Sequence, residues 1–159
     1  MGDARHGAPA SGGELALLPA IERRVLWLAT SIVHHANKVR PNASGVKVGS
    51  HQASSASMAS IMTVLWFAHL DAGDRVSVKP HASPVLHAIH YLLGNLDRSY
   101  LTKLRSYGGL QSYLSRTKDP YPVDFSTGSV GLGATAPIWS AAANRYAGAI
   151  SARRRPGGR

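Results

Sequence analysis

A chain of 159 residues with 44% hydrophobic content is of single-domain length and can bury a core, so a globular fold is expected. It has no cysteine, which excludes disulfides and thiolate metal sites; no apolar run nears the roughly 18–20 residues of a membrane span, and its start lacks the apolar stretch of a signal peptide, so a soluble, cytoplasmic protein is expected. The net charge of +10 invites a nucleic-acid partner, but Arg153, Arg154, Arg155 and Arg159 crowd beside Pro156, Gly157 and Gly158 while the other cations are scattered without an aromatic stacking motif, so nucleic acid is not expected.

Residues 1–14 are rich in Gly, Ala, Pro and Ser without apolar periodicity and predict a poorly ordered segment. Ile21, Val25, Leu28, Ile32 and Val33 recur at helical spacing and predict a helix from Ile21 to Lys38. Pro41, Asn42, Ser44 and Gly45 break it into a loop that delivers Gly49, Ser50 and His51. A second helix, apolar almost all round, is expected from Ser54 to Leu70. Arg75 to Lys79 reads as a short strand, with Pro80 and His81 at its carboxyl end, the edge where ligands bind in open α/β sheets. Ser83 as N-cap and Pro84 at the first helical position open a third helix to Leu93. Asp97 to Arg105 predicts a fourth, short helix. Ser106 to Gly128 carries Gly108, Gly109, Pro120, Pro122 and Gly128 and predicts a long ordered loop. A last helix is expected from Ala134 to Ala149, and residues 151–159 as a basic loop or tail. One strand among several helices has no partner for its ladder, so the chain reads as part of a sheet domain.

Three segments in order, GSHQAS at 49–54, VSVKPHASP at 76–84 and FSTGSVGLG at 125–133, together resemble the N-terminal diphosphate-binding domain of the thiamin-diphosphate enzymes of the transketolase and pyruvate dehydrogenase E1 group, over roughly residues 22 to 150. His51 matches the first active-site histidine of that group, with Ser50 where glycine is usual, and Gln52, Ala53 and Ser54 side with the homodimeric pyruvate dehydrogenase E1 proteins. His81 matches the second, with Pro80 replacing a glycine. Gly128, Val130, Gly131 and Gly133 match the turn where backbone approaches the cofactor, and Ser54 joins them as a cofactor-binding position. The third transketolase histidine is missing from the segment at Thr117 to Pro122. The Gly-Asp-Gly or Gly-Asp-Ala segment that would bind Mg²⁺ is absent as well.

The resemblance implies an α/β fold: a partial thiamin-diphosphate-binding domain over residues 15–150, mostly helical, with one or two short strands of an incomplete parallel sheet. It implies thiamin diphosphate and Mg²⁺ as cofactors of the full-length relative and a 2-oxo acid or ketose phosphate as substrate. A homodimer or a missing C-terminal portion is implied as partner, with little cofactor bound by this chain and no turnover by it alone. His51 and His81 would bind substrate oxygen, work suited to a side chain that titrates at roughly pH 6.5. One subunit of a split enzyme, or a small basic nucleic-acid-binding protein, are the alternatives. His34, His35, His69, His87 and His90 read as hydrogen-bonded structural histidines. His87 and His90 share a helix face without a third ligand at recognisable spacing, so no metal site is expected.

Overall fold

A computed structural model describes residues 12–128 and 130–153. A single helical turn, α1 (Gly12–Leu15), leads into α2 (Leu18–His34), whose last turn widens over His35–Val39. The expected start at Ile21 moves back to Leu18 because Pro19, fixed in φ, is at home in a first turn. Of the segment expected to be poorly ordered, residues 1–11 lie outside the described part and Gly12–Leu15 is helical.

The predicted helix from Ser54 to Leu70 is two helices, α3 (Gln52–Ala56) and α4 (Ala59–Val64), with a wide last turn over Leu65–His69. The break falls at Ser57 and Met58, where Ser57 Oγ donates to the Ser54 carbonyl at 2.9 Å. Serine hydroxyls compete with the helical ladder for carbonyls in this way. Burial is also one-sided: Met62 and Thr63 are inside, whereas Ile61 and Val64 are exposed.

No strand forms among the described residues, so the strand expected at Arg75 to Lys79 is corrected to an extended segment. Without a neighbouring strand its polar groups turn to side chains. The Val76 N–H donates to Asp124 Oδ2 at 2.9 Å, and the Thr127 hydroxyl donates to the Val78 carbonyl at 3.1 Å. A tight turn at Pro80–Ala82 then opens α5 (Ser83–Leu92), so Ser83 is the first helical residue and no side chain caps the helix.

The fourth predicted helix is only a turn at Arg98–Tyr100, capped by the Asp97 carboxylate accepting the Ser99 N–H at 2.8 Å. Arg105 takes a left-handed φ of 56°, which ends any helix and folds the chain back so that Leu104 bridges to Leu110. The loop from Ser106 to Gly128 is organised around Asp119, whose carboxylate accepts the Gln111 and Ser115 N–H groups at 3.0 and 2.8 Å. Finally α6 runs from Leu132 to Arg153, longer than expected at both ends, with Pro137 inside it. The basic tail expected at 151–159 is thus helical through Arg153, and residues 154–159 lie outside the described part.

The core forms where α2 meets α5. Val25, Leu28, Ala29, Ile32 and Val33 of α2 face Val85, Leu86, Ala88 and Ile89 of α5, and Met62, Leu104, Leu110, Leu114 and Tyr121 close around them. Every residue of α5 from Ser83 to Ile89 is buried, which makes it the central helix and fixes the turn before it, where His81 sits.

Candidate functional site

His51 and His81 are 30 positions apart in sequence and meet edge to face, with ring centroids 4.9 Å apart and planes at 84°. His51 is exposed, at the entry to α3; His81 is half-buried on the turn that leads into α5. Two imidazoles at this separation can address one small oxygen-bearing group, one ring donating a hydrogen bond while the other donates or accepts.

His81 also lines a cleft of about 510 Å³ with Ser77, Lys79, Pro80, Gly128, Gly131, Gly133 and Ala134, a size within the range of about 300–1,000 Å³ typical of small-molecule sites. Gly131 has a φ of +86°, and a Cβ on Gly133 would stand 3.1 Å from Ser77 Oγ and 3.4 Å from Thr127 Cγ2. The glycines therefore keep a wall of bare backbone open to a flat ligand. Behind Gly133, Ser77 Oγ is buried without a hydrogen-bond partner.

Of the expected site residues, His51, His81, Gly128, Gly131 and Gly133 are thus brought to one region. Val130 is 82% exposed and Ser54 is half-buried on α3; neither lines the cleft. The loop before His51 is tied down by residues the sequence did not single out. Asn37 bonds the backbone of Gly49, Arg105 Nη1 donates to the Val48 carbonyl at 2.6 Å, and the Ser50 and Ser112 hydroxyls meet at 3.2 Å. Arg105 and Ser112 also line a larger cleft, of about 800 Å³, with Tyr107, Tyr113 and Lys118.

Relatives give the arrangement a family. The pyruvate dehydrogenase E1 component of Mycolicibacterium smegmatis is 36% identical over 141 residues, which is 79% of this chain and 15% of the relative. That of Mycobacterium tuberculosis is 35% identical over 141 residues, with the same shares, and that of Escherichia coli 32% over 148 residues, 87% of this chain and 16% of the relative. This chain is a homologue of one stretch of the pyruvate dehydrogenase E1 component. It spans about 15% of the length of the curated relatives it matches. No protein-family profile and no solved structure matches it.

Set against the thiamin diphosphate implied by the E1 resemblance, the residues fit one end of the molecule. The glycine wall and His81 suit a flat nitrogen heterocycle. Mg²⁺ on a diphosphate is commonly held by one or two carboxylates together with the phosphates themselves, and the described residues that line this cleft include no Asp or Glu.

A second histidine cluster is structural. His87 is fully buried: its Nε2–H donates to the Gln111 carbonyl at 2.9 Å, which leaves Nδ1 to accept from the Tyr121 hydroxyl at 2.5 Å. Burial holds its pKa down at about 3, with the Gln111 bond opposing and His90 adding slightly. His90 stacks on Tyr121 at 4.0 Å and is lowered to about 4 by burial, against the pull of Asp124. Burial pushes the Tyr121 hydroxyl well above its usual value, so it stays a donor. The expected hydrogen bonding holds for His87, which is fully buried where a half-buried side chain is expected.

Proposed function

We propose that this chain is the front part of a thiamin-diphosphate-dependent, pyruvate dehydrogenase E1-like enzyme. In this reading His51 and His81 bind the oxygens of a 2-oxo acid, and Gly128, Gly131 and Gly133 wall the pocket for the ring end of the cofactor. The observation that carries it is the edge-to-face meeting of His51 and His81 beside a glycine-walled cleft. The matched relatives all bear the E1 name, which favours a 2-oxo acid over a ketose.

When bound, the cofactor supplies the carbanion that attacks the substrate carbonyl and stores the resulting charge. The chain's own contribution is narrower. The histidines orient the substrate and hold protons near its oxygens, and the cleft wall keeps water from one face of the ring. Because no Gly-Asp-Gly or Gly-Asp-Ala segment for Mg²⁺ follows Gly133 in the 159 residues, in this reading they bind the cofactor weakly alone and do not turn over pyruvate. A second copy or the rest of an E1 chain completes the site, and the extended segment at 75–79 then becomes a strand of a parallel α/β sheet. A cytoplasmic location fits this chemistry, and no helix among the described residues is long and apolar enough to cross a membrane.

Titration of the labelled chain with thiamin diphosphate and Mg²⁺, followed by amide chemical shifts, tests this. Weak changes clustered at Gly131, Gly133 and His81, reduced in His81→Ala, are expected. Saturating binding with no change at these positions would overturn the assignment of the cleft. Release of carbon dioxide from pyruvate by this chain alone would overturn the claim that the site is incomplete.

A further inference from the structure

We infer that Asn37 is a positioning residue for His51, and that its side-chain amide decides whether the histidine pair assembles; this rests on the reading of His51 and His81 proposed above. His51 hangs at the end of a loop that has no ladder of its own. Just before it, Gly49 has a φ of +103° and Ser50 a φ of +67°. Two consecutive left-handed residues turn the chain sharply, and for serine this conformation costs about 1 kcal/mol or more. The surroundings must hold such a turn in place.

Asn37 grips it at two points. Its Oδ1 accepts the Gly49 N–H at 3.1 Å and its Nδ2 donates to the Gly49 carbonyl at 2.9 Å. A single bond would hold one peptide unit, whereas this bidentate contact holds both of the peptide units that flank Gly49, two residues before His51. Nδ2 also donates to the Val33 carbonyl at 3.1 Å, so the amide is itself locked to the end of α2. Val33 belongs to the core, and Asn37 lies on the widened turn His35–Val39 that follows it. Wide turns of this kind are frequent at functional sites. The line of support therefore runs from the α2–α5 core through Asn37 to Gly49 and on to the ring of His51. His81 reaches the same point from the other end of the core, on the turn into α5. The other anchors each make one bond: the Ser112 hydroxyl meets that of Ser50, and Arg105, on a long, exposed side chain, donates to the Val48 carbonyl at 2.6 Å.

The test is the cross-peak between ring protons of His51 and His81 in nuclear Overhauser spectra of the full 159-residue chain, which edge-to-face rings 4.9 Å apart must give. It is expected in the wild type and in Ser112→Ala, and lost in Asn37→Ala and Asn37→Asp while the Ile89 methyl shifts stay in place. Asn37→Asp keeps the volume and the acceptor for Gly49 but loses both donated bonds, so it carries the test where the alanine variant fails to fold. A cross-peak that survives in either Asn37 variant that folds overturns the inference and leaves the histidine pair standing. Loss together with displaced Ile89 methyls means a general folding role and also overturns it. No cross-peak in the wild type overturns the pair itself.

Discussion

Acid should weaken this fold through His87, and by an amount that can be worked out. The ring is fully buried between Gln111 and Tyr121 and its pKa is held at about 3, whereas in the unfolded chain it titrates at roughly 6.5. Above pH 6.5 both states carry it neutral and it adds no pH dependence. As the pH falls below 6.5 the unfolded chain takes up a proton that the folded chain refuses, so stability declines until the pH reaches the folded value near 3. Between pH 7 and pH 5 the loss from this one residue is about 2 kcal/mol, or about 1 M in a urea midpoint for a small domain. His90 is shifted in the same direction but is less buried, and it is present in wild type and variant alike, so it cancels in the comparison. The assay is urea unfolding at pH 7 and pH 5 for the wild type and for His87→Gln, which keeps a donor for the Gln111 carbonyl. The variant is less stable at pH 7, but its midpoint should fall by about 1 M less on acidification. An equal fall in both proteins would refute the argument, because the proton would then be entering elsewhere.

Three further outcomes are expected. Tyr121→Phe removes the hydroxyl that donates to His87 Nδ1 and should cost about 1–3 kcal/mol in urea unfolding, since it strands a buried acceptor. Ile89→Ala, at a fully buried position of α5, should cost about 2–5 kcal/mol, and a loss under 1 kcal/mol would mean that α5 is not central. Gly133→Leu places a side chain against Ser77 and Thr127; the circular dichroism spectrum should be retained, while chemical-shift changes on adding thiamin diphosphate disappear.

The sequence made legible what depends on local pattern. The apolar spacing of Val25, Leu28, Ile32 and Val33 marked the face of α2, and Pro84 marked the opening of α5 within a residue. His51 and His81 were marked by their motifs, and the structure brings them together. What stayed hidden depends on partners far along the chain or on competition between hydrogen bonds. Valines at 76 and 78 have strand propensity, but an extended segment is a strand only beside another, and here Asp124 and Thr127 take the bonds. The break at Ser57 depends on a hydroxyl choosing a carbonyl. Asn37 sat inside a predicted helix, and its bond to Gly49 spans a loop whose path no periodicity reports. Arg40 reaches Leu104 across 64 positions.

The contrast between α5 and α6 sets an order of opening. Helix α5 is enclosed along its buried run, so its amides exchange with solvent only when the whole domain unfolds. Helix α6 leaves Ile138, Trp139 and Tyr146 more than 60% exposed and is sustained by its alanines and by its first turn against Thr127, a level of support at which an isolated helix is marginal. In deuterated water α6 therefore labels first, from its far end inward, and the last protons to leave the molecule are those of α5, directly behind His81.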